Sequence, residues 1–214
     1  MPPVETATRA FFSWHRRRVH EPRVERVAAS FASLVPHASS LLDVGAGDGT
    51  LAVALSQRIG ATKISGVEVQ LRPNPAIFVA EYNGIHLPFD NNAFEVVVLA
   101  DVLHHAPDPR AVLSESLRVA SHAVLIKDHF QFGPLSSLIL KIMDLTGNRS
   151  ARVPSPGHYF STESFNKLVT QCGGAVEKMH WPMRIHDWPI HLITRDEHQF
   201  TAKVVRASTR KSDP

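Results

Sequence analysis

The sequence predicts an α/β fold: a mostly parallel sheet with helices on both faces. Three observations carry this. Short runs rich in Val, Leu and Ile alternate with segments of helical periodicity. The runs LLDVG (41–45) and FEVVVLA (94–100) are apolar almost throughout, as strands covered on both faces are. A glycine cluster, DVGAGDGT (43–50), follows the first strand, at the carboxyl edge where such sheets bind ligands.

Taken in order, residues 4–35 show helical spacing at Phe11, Phe12, Trp14 and Val19, then at Val24, Val27, Phe31 and Leu34. Pro22 divides them into two pieces, because proline suits a helix start better than an interior. Arg16–Arg18 read as a solvated face. After the first strand, TLAVALSQRI (50–59) is helical and Gly60 is its stop. KISGVEV (63–69) is a second strand. The segment QLRPNPA after it is too short and proline-rich for a normal crossover helix. IFVAEY (77–82) and FEVVVLA (94–100) are the third and fourth strands. DPRAVLSESLRVA (108–120) is a helix with Asp108 as N-cap and Pro109 at its first position. HAVLIKD (122–128) is the fifth strand, and GPLSSLILKIMDLTG (133–147) an amphipathic helix. STESFNKLVTQCGG (161–174) is a helix opened by a Ser-x-x-Ser variant of the capping box and closed by two glycines. AVEKMHW and HQFTAKVVRA are two late strands, expected to be antiparallel neighbours.

These elements suggest a helical segment over 1–37 and one α/β domain over 38–207. Within it, 130–160 is expected to form a lid insertion, and 208–214 a disordered tail. The net charge of +3 is too small to argue for nucleic acid. No apolar run is long enough to span a bilayer. No secretory h-region follows the N-terminal charges, and Cys172 is the single cysteine, so a reducing cytoplasm is the expected compartment. Thirteen histidines are present, but none has the spacing of a zinc motif, so no metal site is expected.

The glycine loop reads G-A-G-D-G rather than the G-x-G-x-x-G of dinucleotide folds. Asp43 precedes it and Asp48 stands near the start of the helix; both would repel a pyrophosphate, whereas a cation would be welcome there. S-adenosylmethionine (SAM) meets that demand, with an ammonium, a sulfonium and no phosphate. Glu68 ends the second strand, nineteen residues after Gly49, where a carboxylate can accept both ribose hydroxyls.

The stretches LLDVGAGDGTLAVAL, GVEV and LPFDNNAFEVVVLADVLHHAPDP resemble the class I SAM-dependent methyltransferases, in particular their small "type 11" branch, over about residues 40–130. The resemblance implies a Rossmann-like, seven-stranded sheet with an antiparallel late strand. It implies that Asp43, Gly45, Ala46 and Gly47 surround the methionine moiety. Glu68 would hold the ribose, with Val69, Gly84 and Ile85 against the adenine. Asn83 stands where the family often has an aspartate, and its carbonyl oxygen can still accept from the adenine amino group. Ala100 and Asp101 would line the methionine end, and Leu103 and His104 the transferable methyl.

The implied activity is methyl transfer to an acceptor, in which the protein mainly aligns the two reactants. Where the acceptor must lose a proton, His129, beside Asp128, is the first candidate base and His104 the second. The apolar 130–160 segment and MHWPMRIHDWPIHLI suggest a small organic or lipid-like acceptor. Three rival readings remain at this point: a nucleic-acid methyltransferase, a SAM-binding module without catalysis, and a dehydrogenase. Against the first, ADVLHH follows strand four in place of an Asn or Asp with Pro-Pro-aromatic. The sequence leaves the acceptor and the oligomeric state open.

Overall fold

The computed structural model of the 214-residue chain describes residues 16–133, 136, 140, 159–188 and 190–207. A helical turn, Arg16–His20, leads into α1, Glu21–Leu34. Pro22 sits in the first turn of α1, where a missing N–H costs nothing. The remaining elements are β1 (Ser40–Val44), α2 (Thr50–Ile59), β2 (Lys63–Glu68), β3 (Val79–Glu81), β4 (Phe94–Ala100), α3 (Pro109–Val119) and β5 (Ala120–His129). They are followed by α4 (Thr162–Gln171), β6 (Gly174–His180), α5 (Ile190–Thr194) and β7 (Gln199–Arg206).

All seven strands form one sheet in the order β3-β2-β1-β4-β5-β7-β6. Strands β1 to β5 pair in parallel, and β7 runs antiparallel between β5 and β6. The order reverses between β1 and β4, so a crevice opens there at the carboxyl edge. One face of the sheet packs Leu41, Val96, Val98 and Leu125 against Val27, Phe31 and Leu55 of α1 and α2. The other packs Val97, Val124, Ile126 and Phe200 against Leu113 and Leu117 of α3 and Phe165 of α4. Successive residues of a strand alternate faces. Lys127 and His129 therefore leave β5 toward α1, and Asp128 toward α3 and α4.

The local signals hold at the helix ends. Gly60 closes α2 in the left-handed region (φ 78°). Asp108 accepts from the Ala111 N–H at 3.0 Å. Ser161 and Ser164 form a reciprocal capping box. Strand extents differ from expectation by more than one residue at two places. β3 has three residues, because Pro73 and Pro75 hold the preceding chain out of the ladder. β5 begins at Ala120, since α3 runs directly into it. The segment between β2 and β3 has no helix, and the Ala76 N–H ties it to the Asp48 carbonyl at 2.8 Å. Phe11, Phe12, Trp14, most of the expected helix 133–147, most of the 130–160 lid and the 208–214 tail lie outside the described residues. Among those described, no helix is long and apolar enough to cross a membrane.

Candidate active site

The loop after β1 places Gly45, Gly47 and Gly49 all at positive φ (73°, 57° and 76°). A turn of this kind is closed to most side chains. Part of what the bare backbone approaches is the chain itself. A Cβ on Gly45 would lie 2.7 Å from Val102 Cγ2, and one on Gly49 2.7 Å from Ile77 Cγ1. Ala46 is tucked against the sheet, where a Cβ on Gly66 would meet its own at 2.7 Å. Gly47 is the roomiest of the three, its nearest neighbour being the Arg72 guanidinium at 3.6 Å.

Three carboxylates border this loop. Asp43 is buried at the end of β1; burial, then the charges of Glu68 and Asp48, push its carboxyl up to about 7. Burial raises Asp48 too, but bonds from Thr50 and the nearness of His20 and Arg72 hold it below its ordinary value. Glu68 spans loop and strand: Oε2 accepts from the Gly47 N–H at 2.9 Å and Oε1 from the Val69 N–H at 2.8 Å. Val69 and Ile85 are exposed apolar residues. Val69 lies beside Gly84, since a Cβ there would sit 3.5 Å from Val69 Cγ2. Asn83 Oδ1 accepts from both the Ile85 and His86 N–H groups, at 2.9 and 2.8 Å. The expectation that this oxygen takes an adenine amino group is therefore corrected. Both its lone pairs serve the turn.

At the ends of β4 and β5 the structure brings together residues far apart in sequence. Asp101, at φ 57°, binds Lys127 Nζ at 2.5 Å and also the Arg23 guanidinium. The expected pairing of His129 with Asp128 is replaced. Asp128 Oδ1 sits 2.7 Å from His104 Nδ1, both side chains fully buried, while the His129 ring is 3.8 Å from it. Burial pushes the Asp128 carboxyl up, but the His104 ring and the bonds from His104 and His129 pull it far below the ordinary range. His129 is pushed down to about 3 by burial and then by the Lys127 ammonium. It stays neutral at working pH. Tyr159 stacks over His104, with ring centres 5.8 Å apart. Leu103 is fully buried in the apolar cluster under α3, so its side chain belongs to the core. Ala100, the last residue of β4, packs at the edge of the opposite cluster.

Residues 13–179 match the family model described as a methyltransferase domain. The chain belongs to that family. Two curated methyltransferases are similar to it. One is the 2-phytyl-1,4-naphthoquinone methyltransferase of Nostoc punctiforme, 26% identical over 68% of this chain and 75% of that one. The other is the demethylmenaquinone methyltransferase of Renibacterium salmoninarum, 27% identical over 65% of this chain and 64% of that one. Among solved structures, a SAM-dependent methyltransferase from Thermotoga maritima superposes with a TM-score of 0.63 at 16% identity, covering 93% of this chain and 95% of that one. The protein is a SAM-dependent methyltransferase with a Rossmann-like sheet.

The residues of this methyltransferase fit that cofactor. The crevice beside the glycine loop gathers Asp43, Asp48 and Glu68, and burial, then the charges of Glu68 and Asp48, force Asp43 toward protonation. A positively charged ligand relieves this repulsion; a pyrophosphate would add to it. Asp101, His104 and His129 also place ligand atoms within 4.8 Å of one another. The Lys127 and Arg23 cations already sit on Asp101, so a metal ion there would meet like charge. Arg23 and Lys127 are the site residues that sequence reasoning missed. Arg23 lies on a helix and Lys127 in a strand, with no spacing to link them; only the packing of α1 on the sheet brings them together.

Proposed function

We propose that this methyltransferase methylates a small organic acceptor whose reacting atom must give up a proton, and that His104 takes that proton. The observation carrying this reading is the buried His104–Asp128 pair at the carboxyl end of the sheet. An ionised carboxylate only accepts, so His104 donates from Nδ1 and its Nε2 is left as the basic nitrogen. Asp128 holds the ring in that tautomer and stabilises the imidazolium that forms. His129 is a poorer base, because the Lys127 ammonium already bonds its Nε2 at 3.3 Å. SAM supplies an electrophilic methyl on a positively charged sulfur. In this reading Glu68 accepts the ribose hydroxyls, Val69, Gly84 and Ile85 flank the adenine, and Asp43, Gly45, Ala46 and Gly47 border the methionine end with Ala100 and Asp101.

The two quinone methyltransferases among the relatives support a small aromatic acceptor of quinol type. Free Cys172 supports a reducing, cytoplasmic setting. Incubation with methyl-labelled SAM and a panel of quinols, phenols and RNA tests the reading. Label transfer to a quinol or phenol is expected. Transfer to RNA alone, or tight SAM binding with no transfer to any acceptor, would overturn it.

A further inference from the structure

Under the first turns of α1, beside the end of β5, lies a group of polar side chains, most of which have no part in the methyl-transfer reading above. Arg23 and Lys127 share one carboxylate, Asp101. Arg26 binds Asp187 through one nitrogen at 2.5 Å, while its Nη1 is buried and has no hydrogen-bond partner. His129 accepts from Lys127 at Nε2, and an ammonium has no lone pair to offer in return. The ring proton of neutral His129 is therefore on Nδ1, also buried and without a partner; Asp101 and Asp128 oxygens stand 3.5 and 3.8 Å away. Gln199 pairs with His129 across β5 and β7, so the two side chains leave the same face. The Gln199 amide is buried with neither of its atoms bonded. His186 is 8% exposed, its Nδ1 is likewise unbonded, and burial and then the charges of Arg23, Lys127 and Arg26 push it down to about 4.

Arg26 and His129 are donors that lack an acceptor, and the Gln199 amide and His186 ring can each donate as well. Leaving a buried donor unmade costs about 1–3 kcal/mol, and native structures leave few. The charges point the same way. Among the described residues, the cations of Arg23, Arg26 and Lys127 gather here, with the carboxylates of Asp101 and Asp187 bound to them. Asp128, bound to His104, stands 3.8 Å from the His129 ring. A carboxylate, with one charge and two oxygens, suits donors of this kind, a guanidinium nitrogen among them.

We propose that this cluster is a subsite for a carboxylate on the methyl acceptor. The acceptor would then be an aromatic hydroxy-acid rather than a neutral quinol. This rests on the acceptor reading above, and it narrows that reading.

Calorimetry on the full chain saturated with S-adenosylhomocysteine compares 1-hydroxy-2-naphthoate with 1-naphthol, a pair that differs by the carboxylate. The acid should bind at least about tenfold more tightly, the worth of a charge-assisted bond. Arg26→Met and Gln199→Leu should each shrink that ratio severalfold. Equal binding of the two compounds, binding of neither, or a ratio that both variants leave intact overturns the proposal. The cofactor also carries a carboxylate, so Arg26→Met is titrated with SAM and with 5′-methylthioadenosine. A loss confined to SAM would assign the cluster to the cofactor and overturn the acceptor subsite. Should S-adenosylhomocysteine itself fail to bind, the methyl-transfer reading falls instead; the naphthoate-to-naphthol ratio on the unliganded chain then decides the subsite alone.

Discussion

Two neighbouring halves of the sheet's carboxyl edge differ in charge. Near β1 and β2, Asp43, Asp48 and Glu68 collect negative charge around bare backbone. Near β4 and β5, Arg23, Arg26 and Lys127 collect positive charge around buried histidines. The acidic half comes from a single stretch of under thirty residues, 43–68. The basic half is assembled from α1, the ends of β4 and β5, the loop after β6 and the start of β7. A site written in one short stretch has a spacing that can be read. A site gathered from five segments has none.

The contrast can be broken by substitution, and the largest effect is expected on the basic side. His104→Ala should lower the rate of methyl transfer about 10²- to 10⁴-fold with SAM affinity within about twofold, whereas His129→Ala should lower it far less. Equal losses in the two variants, measured by single-turnover transfer, would remove His104 from its role. On the acidic side, Gly49→Ala meets both positive φ and Ile77 Cγ1 at 2.7 Å. About 2–4 kcal/mol of stability should be lost in urea unfolding. Gly60→Ala has the same φ sign with nothing within 4 Å, and should cost about 1 kcal/mol. Glu68→Ala should weaken SAM binding about 10- to 100-fold in calorimetry, since charge-assisted bonds are removed while packing is kept. Unchanged affinity would take the ribose away from Glu68.

The smallest effects are in pH, and the two halves should carry opposite signs. Asp43 is raised from 3.8 to about 7, so the folded state holds its proton more tightly than the unfolded chain. Its contribution is complete below pH 3.8 and fades as pH rises through about 7. SAM binding should accordingly release a proton near neutrality and tighten as pH rises toward 7, read as buffer-dependent heats that Asp43→Asn abolishes. His186 is lowered from 6.5 to about 4, so the unfolded chain takes the proton first. Stability should fall as pH drops from 6.5 toward 4, and His186→Gln should flatten that part of a melting-temperature profile.

Much of the fold was legible because its signals are local. The bounds of α2 follow from Thr50 and Gly60, those of α4 from Ser161 and the glycine pair after it, and β4 from seven apolar residues. The missing crossover helix after β2 was visible in Pro73 and Pro75. The same locality let Asp43 and Glu68 be named. Where the reading went astray, chain adjacency stood in for contact. His129 was named as a base beside Asp128, but consecutive strand residues point to opposite faces, and Asp128 bonds His104 at 2.7 Å. Asn83 was credited with an acceptor that two backbone N–H groups of its own turn consume.

By itself, then, the sequence determined the alternation of elements, the cation-seeking glycine loop and the carboxylate that ends β2. Each of these depends on residues a few positions apart, whose geometry the backbone sets directly. Only the tertiary structure decided which histidine is paired, which cations sit on Asp101 and which donors lack an acceptor. Those facts depend on β4 lying beside β5, α1 lying across the sheet and β7 inserting beside β5, contacts between residues at least 24 positions apart that leave no pattern in the linear chain.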